Sequence, residues 1–389
     1  MRPVSFVSLL LFWVAPLTAQ GPESSGGFVT TLGRDTIAVE RFTRSASRIE
    51  GDVAIRNPRA RTIHYIATLG AKGVVTKLEM TSRVAAAPAG SPFVIERYTT
   101  IEDTVLVTEV KRNGVRDTVA SGRTTVPKTG AVPFIQSSTV FGEQMVQQML
   151  RAGVDSLEIP QFTFGPNHAF PSFVKRLGKD SVDINVGAPG YAKVDASGRL
   201  LALSARASTV KTETVRVRSL DFDGVLKGWV EAEGRGELPG AISARDTVRA
   251  TLGSAQLWID YGRPAKRGRA IFGTLVPFDT VWRTGANAAT QFRTNVDLRV
   301  GEQVVPAGTY TLWSIPTRNG ATLIVNKQVG QWGTQYDKTQ DLVAIPMTVE
   351  RLSAAVERMT FEVVPTPNGG QLAFRWDDRR FVVSIRPAG

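Results

Sequence analysis

The side chains that most often carry bond chemistry are scarce in this chain. Its 389 residues include no cysteine and only two histidines, His64 and His168. The missing thiols exclude disulfides, zinc-thiolate sites, iron–sulfur ligation and a cysteine nucleophile. His64 lies in a strand-like run, Thr62-Ile63-His64-Tyr65-Ile66, on the face that Thr62 shares, and reads as a polar-face residue. His168 follows Pro166-Asn167 with no placed carboxylate beside it, the pattern of a loop histidine more than of a general base. No His-Glu-x-x-His pair, Gly-x-Ser-x-Gly elbow or Gly-x4-Gly-Lys-Ser/Thr phosphate loop occurs. Neither a cofactor nor a metal is expected. Glycoside hydrolysis would need only two carboxylates, and Asp260, Asp279 and Asp337 lie in the C-terminal part of the chain. The densest basic cluster, Arg263, Lys266, Arg267 and Arg269, sits among glycine and proline and suits either a solvated loop or an anion-binding one.

These residues must be placed by a chain too long for one ordinary domain. Charged residues make up 21% and hydrophobic ones 42%, which fits a globular protein and excludes a disordered one. Residues 1–19 have the form of a signal peptide: Arg2, an apolar run from Val4 to Pro16, and Leu17-Thr18-Ala19 as a cleavage site. The run is shorter than a bilayer requires, and no later stretch reaches that length, so no transmembrane segment is expected. A periplasmic or secreted location follows. The net charge is +12, yet both halves share the basic excess, and no stripe or basic helix face concentrates it. Nucleic acid is therefore not an expected partner, whereas anionic envelope polymers are compatible with it. Nothing in the pattern bears on oligomeric state.

Residues 20–27 read as a flexible leader, and residues 28–236 as an antiparallel β domain. Thr76, Leu78 and Met80 alternate with Lys77 and Glu79, and Val215 and Val217 with Arg216 and Arg218, the period of half-buried strands. Turn signals recur at Asn57-Pro58, Arg112-Asn113-Gly114 and Asp195-Ala196-Ser197-Gly198. One helix is expected from Val140 to Ala152, where Phe141, Met145 and Met149 recur every fourth residue and Gly153 offers a C-terminal cap. Its methionines suit a core, or a ligand cavity if the helix lies in the hollow of a curved sheet. Such a half-barrel resembles periplasmic lipid and lipoprotein carriers in architecture alone. Glycine, proline and lost periodicity between Glu231 and Ala244 place the boundary near residue 237.

Residues 237–389 gather five of the seven tryptophans, and about nine short strands predict a β-sandwich. A hairpin is expected to turn at Asp377-Asp378, between Leu372, Phe374, Trp376 and Phe381, Val383, Ile385. Motifs here carry a resemblance: Tyr261-Gly262-Arg263-Pro264, Ile271-Phe272-Gly273, Val281-Trp282-Arg283-Thr284-Gly285-Ala286-Asn287, Pro306-Ala307-Gly308-Thr309-Tyr310, Asn326-Lys327 and Gln331-Trp332-Gly333 with Tyr336. Together they resemble the DUF2911 family over roughly Ala241 to Phe381. The family is named for having no assigned function, so the resemblance implies a domain more than an activity. Ala288 stands where many members carry Glu.

Among those motif residues, Tyr261, Arg263, Trp282, Arg283, Asn287, Lys327, Trp332 and Tyr336 mix hydrogen-bond donors with aromatic planes. Such planes suit sugar rings, and arginine or lysine suits carboxylate or phosphate. The same residues equally suit a tight crossing loop whose polar groups satisfy buried backbone. The leading expectation is a non-enzymatic envelope protein that binds a glycan or anionic polymer at this loop. The alternatives are a polysaccharide hydrolase using the three aspartates, a lipid or lipoprotein carrier using the N-terminal sheet, and a purely structural protein.

Overall fold

The computed structural model describes residues 24–56, 59–87, 90–101, 104–127, 130–164, 169–206, 208, 211–237 and 243–389. The stretch that reads as a signal peptide, the start of the expected leader, the expected Asn57-Pro58 turn and His168 lie outside these. The fold is mainly β, with a large N-terminal antiparallel sheet and a separate C-terminal sheet.

The N-terminal sheet has 15 strands built from two meanders. One runs Ser24–Leu32, Asp35–Arg44, Arg48–Arg56, Ala60–Leu69, Val75–Val84, Phe93–Ile101 and Val105–Arg112, with two short strands on the last. The other runs Ser156–Glu158, Phe173–Arg176, Ser181–Asn185, Pro189–Val194, Leu200–Ser204 and Glu213–Val217. Antiparallel pairing of Ser24–Leu32 with Glu213–Val217 joins them. The strand beginning at Ser24 thus takes in residues 24–27, which read in sequence as flexible leader. Their Gly/Ser composition suggested mobility, but backbone pairing to Arg44 and its neighbours orders them.

Helix α1, Val140–Ala152, has the bounds its periodicity predicts and ends at Gly153 in the left-handed conformation, φ 65°. Met145 and Met149 are fully buried and share one core with Leu106 from the first meander and Val174 from the second, so the sheet curls around the helix. The polar face of α1 is buried too. Gln148 donates to the Gly73 carbonyl at 2.8 Å, and Glu143 accepts from Leu200 N at 2.8 Å while pairing with Arg216. Thr139 supplies no side-chain cap. Glu40, reaching across from the sheet, accepts from Thr139 N at 2.7 Å and Val140 N at 3.2 Å, placing a carboxylate at the positive end of the helix. Tyr65 and Ser138 also donate to Glu40, whose pKa burial still pushes upward. The helix lies in the hollow of the curved sheet, with its methionines in the core.

A second helix, α2, Phe222–Gly234, was not expected. Asp221 caps it by accepting Gly224 N at 2.9 Å, and Phe222 and Trp229 pack on Val39, Ala54 and Ala60 of the outer sheet face. It occupies the start of the stretch in which glycine had suggested lost periodicity.

The C-terminal sheet has nine antiparallel strands in the order Ser243–Leu252, Ala255–Pro264, Thr290–Thr294, Gly308–Pro316, Gly320–Asn326, Asp341–Thr366, Gly369–Pro387, Leu298–Val300, Gln303–Val305. It folds over on itself as a sandwich does. Phe361 N donates to Tyr261 Oη at 3.1 Å, and the two rings meet edge to face at 5.0 Å. The expected hairpin at Asp377-Asp378 is absent: Gly369–Pro387 runs straight through, and the chain reverses at residues 367–368 instead. Asp377, at φ 55°, marks an irregularity in the strand, and the two aspartates pair with Lys266 and Arg351. Charge partners, not a turn, explain the acidic pair.

Candidate functional site: a cationic cleft between the sheets

Between strands Ala255–Pro264 and Thr290–Thr294, residues 265–289 cross the end of the sandwich without joining a strand. The crossing is pinned from inside. Trp282 exchanges two backbone hydrogen bonds with Ser314, each 2.8 Å. Thr284 is wholly buried, bonds Ser314 Oγ at 2.9 Å, and accepts Thr290 Oγ1 on its carbonyl at 2.8 Å. Its φ is 45°, a conformation that a β-branched residue adopts only when its surroundings force it. Asn287, at φ 63°, accepts Gly333 N on its carbonyl at 3.0 Å. The strained turn fixes where the neighbouring Arg283 points.

Arg283 enters a cleft of about 540 Å³ between the two sheets. The C-terminal sheet and its loops contribute Arg269, Trp282, Arg283, Trp332 and Trp376. The N-terminal sheet contributes Leu32, Gly187 to Pro189, Ser208 and Lys211. Asp35 and Arg267 fasten the two sides at 2.5 Å, and Arg34 N donates to the Arg267 carbonyl at 3.2 Å. Arg267, only 3% exposed, is thus a docking residue rather than part of a solvated loop.

Electrostatics distinguish this cleft. Its described lining includes three cations and no carboxylate or imidazole. The Nε of Arg283 is buried and has no hydrogen-bond partner among the described residues. Burial alone pushes the pKa of this guanidinium down. Lys211 donates to the Arg206 carbonyl at 2.7 Å; burial first, then Arg283 and Arg269, hold its ammonium below the usual lysine range. Arg269 donates to the Lys266 and Ala265 carbonyls at 3.0 and 2.6 Å. Burial and Arg267 push it down while Glu357 and Asp35 pull it back. Cations are held close together against their mutual repulsion, and an incoming anion would relieve it. Trp282 stacks on Trp376, with centroids 6.1 Å apart and planes 19° from parallel, and Trp332 is 46% exposed. The cleft offers charge and an aromatic plane together.

Of the eight residues singled out in sequence, Trp282, Arg283 and Trp332 meet here. Tyr261 is fully buried and Arg263 donates to the Met359 carbonyl at 3.0 Å, so both tie the sandwich together. Tyr336 donates to Asp341 at 2.6 Å and packs on Trp313, its pKa pushed up by burial and by that carboxylate. Asn287 and Lys327 are exposed and outside the cleft lining. Sequence reasoning missed Lys211, and placed Arg269 only in a basic loop. Lys211 carries no motif; only the docking of the two sheets brings it near Arg283.

The three aspartates also lie outside the lining. Asp260 pairs with Arg245 at 2.5 Å, Asp279 is exposed, and Asp337 accepts Thr339 N at 2.9 Å at the start of a short 3₁₀ turn. They do not form a carboxylate pair across the cleft. His64 bonds Asp52 at 2.9 Å on the outer face of the N-terminal sheet, far along the chain from these groups. No helix among the described residues is long and apolar enough to cross a membrane. Comparison with curated proteins and with solved structures gives no match. A family model, that of DUF2911, "Protein of unknown function", matches residues 243–385, so the C-terminal segment that holds the Trp282-Arg283 crossing is similar to that family, while the N-terminal region has no family match.

Proposed function

We propose that this is an exported, non-enzymatic binding protein whose interdomain cleft takes up an anionic ligand, an acidic glycan of the cell envelope. The carrying observation is the charge of the lining: the guanidinium of Arg283 faces Lys211 across a cleft with no described carboxylate in its lining. Cations gathered there without a carboxylate make an anionic group the natural complement. A guanidinium fork suits carboxylate, sulfate or phosphate oxygens, and Trp332 offers a plane on which a sugar ring can stack. Residues 1–19 direct export, and the chain divides near residue 237 into the two domains that form the cleft walls.

Calorimetric titration of the protein with acidic and neutral oligosaccharides of matched length tests this. Acidic oligomers should bind and neutral ones should not, and Arg283→Gln should remove binding while the protein still unfolds cooperatively. Equal binding of neutral oligomers would overturn the assignment, as would an unchanged affinity in Arg283→Gln.

A further inference from the structure

The charges around the cleft also say how much negative charge its ligand brings, an inference that rests on the anion-binding assignment above. Lys211 faces two cations, Arg283 and Arg269, across the cleft, and its ammonium donates to the Arg206 carbonyl. The described lining of the cleft brings no carboxylate to Arg283. Arg269 is different, because Asp35 and Glu357 answer its charge and the 265 and 266 carbonyls occupy its N–H groups. Among the described residues of the lining, two positive charges are therefore left without a counter-charge, one from each sheet. A carboxylate or a sulfate ester brings one negative charge and would leave one cation bare. A phosphate monoester brings nearly two at neutral pH and three acceptor oxygens. The guanidinium presents N–H donors in a plane, and the ammonium presents its own as a compact point charge, so the two can grip different oxygens of one tetrahedral group.

We propose that the group held between Lys211 and Arg283 is a phosphate monoester dianion carried on a sugar, whose ring lies against Trp332. An additional charge facing two desolvated cations is worth at least about tenfold in affinity. A hexose series isolates that charge: glucose 6-phosphate, glucose 6-sulfate, glucuronate and glucose, titrated calorimetrically into the full chain. At pH 7.5 the phosphate should bind at least about ten times more tightly than the sulfate or glucuronate. Between pH 7.5 and 5 its affinity should fall about tenfold, because the second phosphate proton binds near pH 6. Sulfate affinity should hold over the same range, since a sulfate ester takes up no proton there. Lys211→Gln should weaken binding of both anions and erase the preference for phosphate over sulfate. Equal binding of sulfate and phosphate, a flat pH profile for phosphate, or a trigalacturonate that binds as tightly as the phosphate would overturn the dianion and leave the anion site standing. If no anion binds better than glucose, the anion site itself fails.

Discussion

Replacing Arg283 by methionine should stabilise the free protein while abolishing its ligand binding. The guanidinium contributes nothing that the structure shows as a bond: its Nε is buried without a partner. A buried donor left unsatisfied costs about 1–3 kcal/mol, and methionine removes the donor while its flexible stem fills much of the same space. The substitution also removes a positive neighbour of Lys211. Taking about 1–2 kcal/mol as the combined gain, a unit of this size should melt roughly 2–8 °C higher, which differential scanning calorimetry resolves easily. Lys211 gives an independent readout, since its pKa should move back up toward the lysine range when Arg283 is gone, as followed by the pH dependence of its acylation. Most buried-residue substitutions destabilise, so a rise is a discriminating outcome. If Arg283→Met instead lowers the melting temperature by several degrees, the guanidinium holds the crossing loop together, and its lack of a partner has been misjudged.

Three further substitutions probe the supports around the cleft. A Cβ at Gly333 would collide with Cδ of Arg283 and with the Asn287 carbonyl, so Gly333→Ala should displace the guanidinium and cost roughly tenfold or more in anion affinity, read by titration. Arg267→Leu removes the ion pair with Asp35 that fastens the two sheets, and should split one calorimetric transition into two at a cost of about 1–2 kcal/mol. Asp195 sits in the turn before Leu200–Ser204; burial raises its carboxyl, but Ser197, Arg199 and their backbone N–H groups outweigh that and hold it at about 2. A depressed carboxylate stabilises the fold above its ordinary value near 3.8 and loses that effect as pH falls through about 2. Asp195→Ala should therefore cost about 1 kcal/mol at pH 7 in urea unfolding, and its difference from the natural protein should close between pH 4 and 2.

Local periodicity made some of the fold legible and misled elsewhere for identifiable reasons. Helix α1 could be bounded from sequence because Phe141, Met145 and Met149 face one core and Gly153 ends it. Helix α2 has the same kind of signal in Phe222, Leu226 and Trp229, but Gly224 and Gly228 dilute it and the apolar face is short. At Asp377-Asp378 two adjacent acidic residues between apolar alternations look like a turn, whereas their partners, Lys266 and Arg351, lie 111 and 27 residues away. Local pattern reports which face a residue takes, and it reports nothing about which distant charge that residue answers.

The cleft divides along the same line. Part of its C-terminal wall could be read from sequence, because the Trp282-Arg283-Thr284 crossing holds Thr284 at positive φ by a fixed set of buried hydroxyl partners, which demands a recognisable string. Its N-terminal wall could not. Lys211 lies in the connection between two ordinary strands, and 72 residues separate it from Arg283. What gives that lysine meaning is the pairing of Asp35 with Arg267, which brings a cation of one sheet within the field of two cations of the other. A folded chain tolerates that repulsion only where something else compensates it. Weakening the docking and removing the anion are thus two perturbations of one balance. Arg267→Leu should lower anion affinity although Arg267 is absent from the cleft lining, and bound anion should in turn raise the temperature at which the two sheets part.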